Sequence, residues 1–203
     1  MKLLNLSPNK AIYAIGDAAH SIKPHLAQGS AMALEDAYFL ANLITNKNKA
    51  KDIHQMLKIR EKRVNRVINK SSQNSIEIAK FLETKEIIKT VFHPALEQHP
   101  DHELWKKDFK GASGLFAIEF HDNVYEEAVD IIADNCKIFG IGSSWGGYSS
   151  LISMMNVSES RNIKTSYIPK GVYLRIYTGS ENINDLLNDF KNGIKILRKF
   201  LKL

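Results

Sequence analysis

The pattern of the sequence changes near residue 82, and the charge changes with it. Residues 1–82 hold 13 Lys and Arg against 6 Asp and Glu, a charge of +7, whereas residues 83–203 hold 15 against 16, a charge of −1. Such an imbalance is typical of a basic arm or of two segments with separate origins. The 203 residues are enough for one sizeable core or two small ones. We predict two segments, 1–82 and 83–203.

The remaining composition excludes several classes of protein. Lys outnumbers Arg by 22 to 6, a bias of A/T-rich codons, so the basic charge does not indicate a nucleic-acid partner. No apolar run approaches the roughly 20 residues that span a bilayer, and the first ten residues lack a sustained apolar stretch, so we expect no transmembrane segment and no signal peptide. The single cysteine, Cys136, precludes an intramolecular disulfide and fits a cytoplasmic protein.

The periodicity of the first segment predicts a strand followed by a loop and two helices. Residues 11–16 are a short apolar run, and residues 17–29 carry the turn signals of a loop. Apolar residues recur at helical spacing over 30–46 and again over 51–82. This segment therefore has a strand–loop–helix–helix order.

The second segment predicts a small α+β unit. Residues 83–90 are polar and could end a helix, and residues 93–109 indicate a loop. The predicted elements after it are strand 114–120, helix 125–135, strand 137–147 with a glycine turn, strand 171–179 and helix 182–200. The fold class is thus α/β to α+β, with the small α+β unit in the second segment.

Three motifs in the first segment suit a flavin. They are GDAAH (16–20), HLAQG (25–29) and EDA (35–37). A carboxylate in a Gly-Asp turn can accept hydrogen bonds from a polyol such as a ribityl chain, and the helix N-terminus after LAQG favours anions or carbonyl oxygens. Over residues 11–82 the run resembles the FAD-dependent aromatic-ring monooxygenases of the salicylate-hydroxylase type.

The resemblance implies roles for five residues. Asp17 would hold the ribityl chain, Pro24 would line the flavin ring, and the backbone at Ala27, Gln28 and Gly29 would approach the pyrophosphate and the ring. The family also needs a G-x-G-x-x-G dinucleotide fold, which this sequence does not supply. The alternative is a capped helix that follows a strand, with no flavin function.

The second segment resembles another family. The motifs are HPALEQHPDHELWKKDF (93–109), GASGLF (111–116), SSWGG (143–147) and GVYLRIYTGSEN (171–182). Together they are similar to the carboxy-terminal domain of the PLP-dependent Cys/Met metabolism enzymes, most of all the cystathionine β-lyases. The resemblance covers about residues 86–203. It implies the small-domain fold of PLP fold type I and a role in carbon–sulfur lysis.

The resemblance also assigns the residues that would bind the substrate. A planar guanidinium holds a carboxylate by two parallel hydrogen bonds, and Arg175 matches the carboxylate-binding arginine of the family. Ser144 and Trp145 match the SW pair that closes the same pocket. Ser143 stands where the lyases often carry Tyr, and IYTGSEN differs from their usual LHIGLED, so the substrate stays open. The alternative is a solvated strand arginine beside a core tryptophan.

No lysine lies in the sequence context of the family's PLP-binding lysine, so we predict no catalytic residue in this chain. The function predicted is a catalytically incomplete lyase domain carrying a monooxygenase fragment, with PLP and FAD as the implied cofactors. One alternative is completion in trans by a separate large-domain chain, or assembly as a homo-oligomer. Another is a flavin-binding module related to the monooxygenases.

Three weaker candidates have ordinary explanations. His93, His99 and His102 lie in a loop that the lyases also carry, so we predict no metal site. Helix residues 58–70 are basic but lack interleaved aromatics, which favours a solvated face. Cys136 has no evident partner and is interpreted as a small buried residue.

Overall fold

The computed structural model describes residues 2–7, 10–14, 29–45, 51–155, 157 and 171–203. The chain divides into two compact units, Met1–Val67 and Ile68–Leu203. No helix among the described residues combines the length and apolarity needed to cross a bilayer.

The first unit contains a hairpin and helical structure. Strands β1 (Lys2–Ser7) and β2 (Lys10–Ala14) pair antiparallel. Helix α1 spans Gly29–Thr45, and α2 spans Lys51–Glu83 and continues into the second unit. An exposed ion pair joins the two helices, with 2.8 Å between Arg63 Nη2 and Glu35 Oε1. The predicted strand and the two predicted helices are confirmed, whereas the predicted loop lies outside the described residues except for Gly29, which begins α1; β1 is not among the predicted elements.

The described residues of the second unit form a five-stranded mixed sheet, the end of α2 and three further helices of more than one turn each. Its elements are β3 (Ile88–Phe92), α3 (His102–Asp108), β4 (Leu115–Phe120), α4 (Glu126–Asn135), β5 (Gly140–Ile141), β6 (Leu151–Met155), β7 (Tyr173–Tyr177) and α5 (Ile183–Leu201). The strand order is β3-β4-β7-β6-β5, and among the strands of the described residues only β5 and β6 pair in parallel. This confirms the α+β fold of the second segment, although β3, β6 and α3 were not among the predicted elements.

One face of the sheet forms the core, because side chains alternate along a strand. Leu174 and Ile176 of β7 are fully buried. They share a cluster with strand residues Phe116, Ile118, Phe120 and Ile152 and with helix residues Ile78, Leu82, Ala128, Val129, Ile132, Leu186, Phe190, Ile194 and Leu197. The same alternation directs Tyr173, Arg175 and Tyr177 to the other face of β7.

A buried polar seam holds α2 against the end of β7. Ser71 Oγ donates to Thr178 O at 2.6 Å, and Thr178 Oγ1 donates back to Ser71 O at 2.9 Å. Asn74 donates to the carbonyls of Gly179 and Glu181 at 3.1 and 3.0 Å. A Cβ added to Gly114 would collide with Ser71 Oγ, so the close approach requires glycine. The seam therefore fixes the backbone that directly follows β7.

Helix α5 is tied to the segment before β5 by one carboxylate. Asp189 accepts hydrogen bonds from the backbone N–H groups of Lys137, Ile138 and Phe139, at 2.7, 2.8 and 3.1 Å. Only 8% of Asp189 is exposed. Three donors to one charged acceptor satisfy a group that would otherwise be costly to bury.

Candidate functional site

Arg175 lies in the middle of the sheet, on β7, between β4 and β6. Its register partners are Ala117 on one side and Ser153 on the other. Both partners are small, so neither side chain covers the guanidinium, and Arg175 is half-buried. The predicted strand over 171–179 is confirmed by β7, and the role of Arg175 in carboxylate binding remains a prediction.

Two contacts fix the guanidinium. Arg175 Nη2 donates to Ser143 O at 2.6 Å, and Arg175 Cζ lies 4.5 Å from the centre of the Trp145 ring. Burial lowers the pKa of Arg175 from its usual value, but a guanidinium stays charged in proteins. Within the described part of the chain, Arg175 makes no ion pair with a carboxylate. The site is therefore an oriented cation whose other N–H donors can receive an anion.

The loop that supplies Ser143 and Trp145 is held at its far end. Gly146 has a φ of 96°, a backbone conformation that would be strained in a residue with a side chain. Next to it, Tyr177 Oη donates to Gly147 O at 2.8 Å. Tyr177 is on β7, two residues from Arg175 and on the same face, and burial raises the pKa of its phenol. One strand thus carries both the guanidinium and an anchor for the loop that orients it.

A second anchor lies where the loop enters β6. The Glu181 carboxylate accepts hydrogen bonds from Ser150 N at 2.6 Å and from Ser150 Oγ at 2.9 Å. Ser150 Oγ also accepts from Gly179 N at 2.9 Å, and Ser180 N donates to Tyr148 O at 3.0 Å. These bonds hold the β6 end of the loop to the segment that follows β7, while Tyr177 holds Gly147 to β7 itself.

The predicted residues have different positions in this arrangement. Trp145 stacks on Arg175, but Ser144 is exposed and makes no hydrogen bond with Arg175 in the described part of the chain, so the assigned role of this pair remains a prediction. The polar contact comes instead from the main chain of Ser143. The sequence does not predict this contact, because every residue has a backbone carbonyl and the residue type does not distinguish the one that binds Arg175. The sequence prediction also missed Tyr177, which alternation along β7 would have placed beside Arg175.

Four of the five residues that the resemblance assigns to flavin binding are not among the described residues. Asp17, Pro24, Ala27 and Gln28 lie outside the described residues. Gly29 is the first residue of α1. Their assigned roles remain predictions.

His93 lies in a buried polar cluster. Its Nδ1 accepts from Ala95 N at 3.2 Å, so the neutral ring carries its proton on Nε2, which lies 3.0 Å from Ser75 Oγ. Burial lowers the pKa of His93 to about 4. Among the described residues, no three His, Cys, Asp or Glu side chains are grouped as metal ligands.

Cys136 is half-buried behind α4. Burial, helped by the charge of Asp189, raises the pKa of its thiol to about 12. A thiol with such a pKa is a poor nucleophile at neutral pH. Cys136 was interpreted as a small buried residue, and the structure shows it only half-buried.

The described residues suit a substrate carboxylate better than the PLP cofactor. The PLP aldehyde forms a Schiff base with an unprotonated lysine amine. Lys89 on β3 does not meet this requirement, because it pairs with Glu119 at 3.0 Å and with Asp122 at 3.6 Å, and the hydrogen bond to Glu119 raises its pKa. Over the described ranges, no lysine is among the contacts of Arg175. We therefore derive no step through the cofactor.

The sheet, the helices on its core face and the oriented arginine on its other face define a small α+β domain of the PLP fold-type I kind. The model of the family described as "Cys/Met metabolism PLP-dependent enzyme" matches residues 29–195. The chain belongs to this family.

Individual relatives match part of this chain. An L-alanine/L-glutamate racemase of Wolbachia pipientis wMel is 44% identical over 127 residues, which are 62% of this chain and 31% of the relative. A cystathionine β-lyase of Haemophilus influenzae is 35% identical over 130 residues, 63% of this chain and 33% of the relative. This chain thus spans about a third of these relatives' length.

Solved structures agree with the fold. The crystal structure of a cystathionine γ-synthase from Xanthomonas oryzae pv. oryzae in complex with cystathionine has a TM-score of 0.55 and 27% identity, covering 66% of this chain and 35% of that one. The comparisons give no support for the flavin resemblance of residues 11–82, and the family match begins inside that segment.

Proposed function

We propose that the unit Ile68–Leu203 binds the α-carboxylate of an amino-acid substrate, as the small domain of a carbon–sulfur lyase of the cystathionine β-lyase kind. The observation that carries the proposal is the Arg175 guanidinium, which Ser143 O and the Trp145 ring orient while its other donors face no carboxylate of the described residues. An oriented guanidinium binds a carboxylate with little further loss of side-chain freedom.

In such an enzyme PLP supplies the electron sink for cleavage of the carbon–sulfur bond. The residues of this chain would hold and orient the substrate by its carboxylate, and Trp145 would shield the ion pair from water. A second chain that carries the cofactor-binding residues would complete the site. Without it, we propose that the chain does not catalyse the reaction.

The carboxylate site is tested by calorimetric titration with L-cystathionine, which has two α-carboxylates, and with the corresponding diamine that lacks both. The wild type should bind only the amino acid. Arg175→Lys should weaken binding about tenfold, because an ammonium cannot form the two parallel hydrogen bonds. Arg175→Ala should abolish it.

Arg66→Ala is the matched control, since it removes an exposed guanidinium on α2. It should leave the affinity unchanged. Undiminished binding by Arg175→Ala, or equal binding of the amine and the amino acid, would contradict the proposal.

The racemase relative supports a second candidate, because its 44% identity is higher than that of the lyase described above. An amino-acid racemase also needs a group for the α-carboxylate, and Arg175 would serve in that role. Titration with L-alanine and L-glutamate beside L-cystathionine separates the two candidates. Tighter binding of the first two would favour the racemase.

The flavin hypothesis for residues 11–82 rests on the GDAAH and LAQG motifs alone. We propose, on those motifs, that the segment derives from an FAD-dependent monooxygenase. Flavin fluorescence that stays with the purified chain would support retained FAD binding, and its absence after addition of FAD would contradict it.

A further inference from the structure

A groove between the end of α2 and the last turns of α5 concentrates positive charge. It has a volume of about 630 Å³. Its cationic lining is Lys85, Lys191, Lys195, Arg198 and Lys199, and its apolar lining is Phe81, Ile194 and Leu203. All of these residues belong to the unit Ile68–Leu203. The groove therefore combines an apolar floor, formed by Phe81, Ile194 and Leu203, with five cationic side chains in its lining.

The cations are hardly neutralised. Arg198 is 3.6 Å from Glu86, whose side chain is 86% exposed, and such an exposed pair contributes little. The other four cations of the groove form no ion pair within the described residues. Five like charges so close together repel one another, and an anion would relieve that repulsion.

The dipole of α5 explains only part of this charge. Basic side chains in a last helical turn interact favourably with the carboxyl end of the helix, which accounts for Arg198 and Lys199. Lys191 and Lys195 lie earlier in the helix, and Lys85 follows a different helix. A solvated, dipole-matched helix end would not require these three.

Two of the groove's lysines contact Phe81, which belongs to the apolar floor. Lys85 Nζ lies 4.2 Å from the centre of the Phe81 ring, and Lys191 Nζ lies 5.7 Å from it. Cation–π contacts of this kind keep the two ammonium groups near the apolar floor. A ligand that touches Phe81 therefore meets both charges.

We propose that this groove binds a small organic polyphosphate, a molecule with several phosphoryl groups on a ring-bearing body such as a nucleoside triphosphate. The phosphoryl groups would pair with the lysines and Arg198, and the body would cover Phe81 and Leu203. The volume falls within the range usual for small-ligand sites. The proposal is independent of the carboxylate site at Arg175, since it uses none of the same residues.

The test titrates the full chain with ATP, inorganic triphosphate and adenosine, in the absence of divalent cations. ATP should bind more tightly than triphosphate, which lacks the apolar body, and adenosine should not bind. The double variant Lys191→Gln/Lys195→Gln should lose about tenfold or more in ATP affinity, because it removes two charged donors. Both side chains are exposed, so the variant keeps the core.

The matched control is Lys106→Gln/Lys107→Gln, which removes the same charge from exposed positions on α3. It should keep the ATP affinity within about twofold of the wild type. Equal losses in the two double variants would assign binding to overall charge and overturn the proposal. Equal affinities for ATP and triphosphate, or no binding of ATP at all, would overturn it as well.

Discussion

The direction of a single guanidinium depends on residues that do not themselves touch a substrate. Arg175 is held by a carbonyl and a ring of one loop, and Tyr177 holds that loop by its hydrogen bond to Gly147. Tyr177 thus acts as a positioning residue, through the loop. Because the loop has a second anchor at Ser150, loss of Tyr177 should loosen the loop without unfolding it.

Tyr177→Phe removes the hydroxyl and keeps the buried ring. We expect a loss of a few-fold to about tenfold in affinity for an amino-acid carboxylate, the usual effect of one buried hydrogen bond. The orientation of Trp145 is measured separately by its fluorescence in a Trp105→Phe background, since the chain has two tryptophans. The emission of Trp145 should change in the variant even without ligand.

Tyr148→Phe is the control for this change, because Tyr148 is 75% exposed. It should alter neither the affinity nor the emission. A Tyr177→Phe protein with wild-type Trp145 emission would show that the loop does not need this anchor. That outcome is separable from a failure of carboxylate binding itself.

At the scale of elements, α5 contributes more than an apolar stripe. Its buried face supplies Leu186, Phe190, Ile194 and Leu197 to the core. The polar Asp189 on this helix is nevertheless buried as well, and it accepts three backbone hydrogen bonds before β5. The helix therefore fixes the start of the segment that leads to Ser143 and Trp145.

Asp189→Asn tests this connection. The amide loses the negative charge and turns one acceptor into a donor that faces backbone N–H groups. We expect destabilisation by about 2–3 kcal/mol, since hydrogen bonds to charged groups are worth more than neutral ones. Urea denaturation followed by circular dichroism measures it.

Asp134→Asn on α4 is the matched control, because Asp134 is exposed. It should change the free energy of unfolding by no more than about 0.5 kcal/mol. If Asp189→Asn had an equally small effect, the three hydrogen bonds would not contribute measurably to stability.

The same elements show what the sequence could predict. Helices α1, α2, α4 and α5 were found because each repeats its apolar residues over several turns. Strand β3 has five residues at the sheet edge, and β6 follows a glycine-rich loop, so neither had enough length or alternation for a prediction. Short strands are defined by their partners, which a local pattern does not contain.

The candidate site divides in a similar way. The chemistry of Arg175 follows from its residue type, and the SW motif indicated Trp145. The hydrogen bond from Arg175 to the carbonyl of Ser143 depends on the path of the loop over β7. Side-chain identity is written in the sequence, whereas a main-chain contact depends on a backbone path set by long-range packing.

At the scale of the whole molecule, the chain consists of two units, and the stability of the unit Ile68–Leu203 can be considered by itself. The unit Ile68–Leu203 has its own core and its own buried polar groups. His93 is one of these groups, with 1% exposure. It bonds as a neutral ring to Ala95 N and Ser75 Oγ, so acid should destabilise this unit.

The direction of the pH dependence follows from the pKa of His93, which burial lowers from 6.5 to about 4. Between these values the unfolded chain binds a proton that the folded chain does not, so stability rises with pH over that range. The contribution of His93 is complete above about pH 6.5 and is lost as the pH falls towards 4. The pKa difference corresponds to about 3 kcal/mol.

Urea denaturation of the wild type and of His93→Gln, measured at several values from pH 4 to pH 7.5, checks this expectation. His93→Gln should be less stable at neutral pH but should show a shallower loss of stability on acidification, because it has no ring to protonate. His121→Gln, at an exposed position, should keep the wild-type slope. Since carboxylates titrate equally in all three proteins, a His93→Gln slope equal to that of the wild type would show that other groups cause the acid sensitivity.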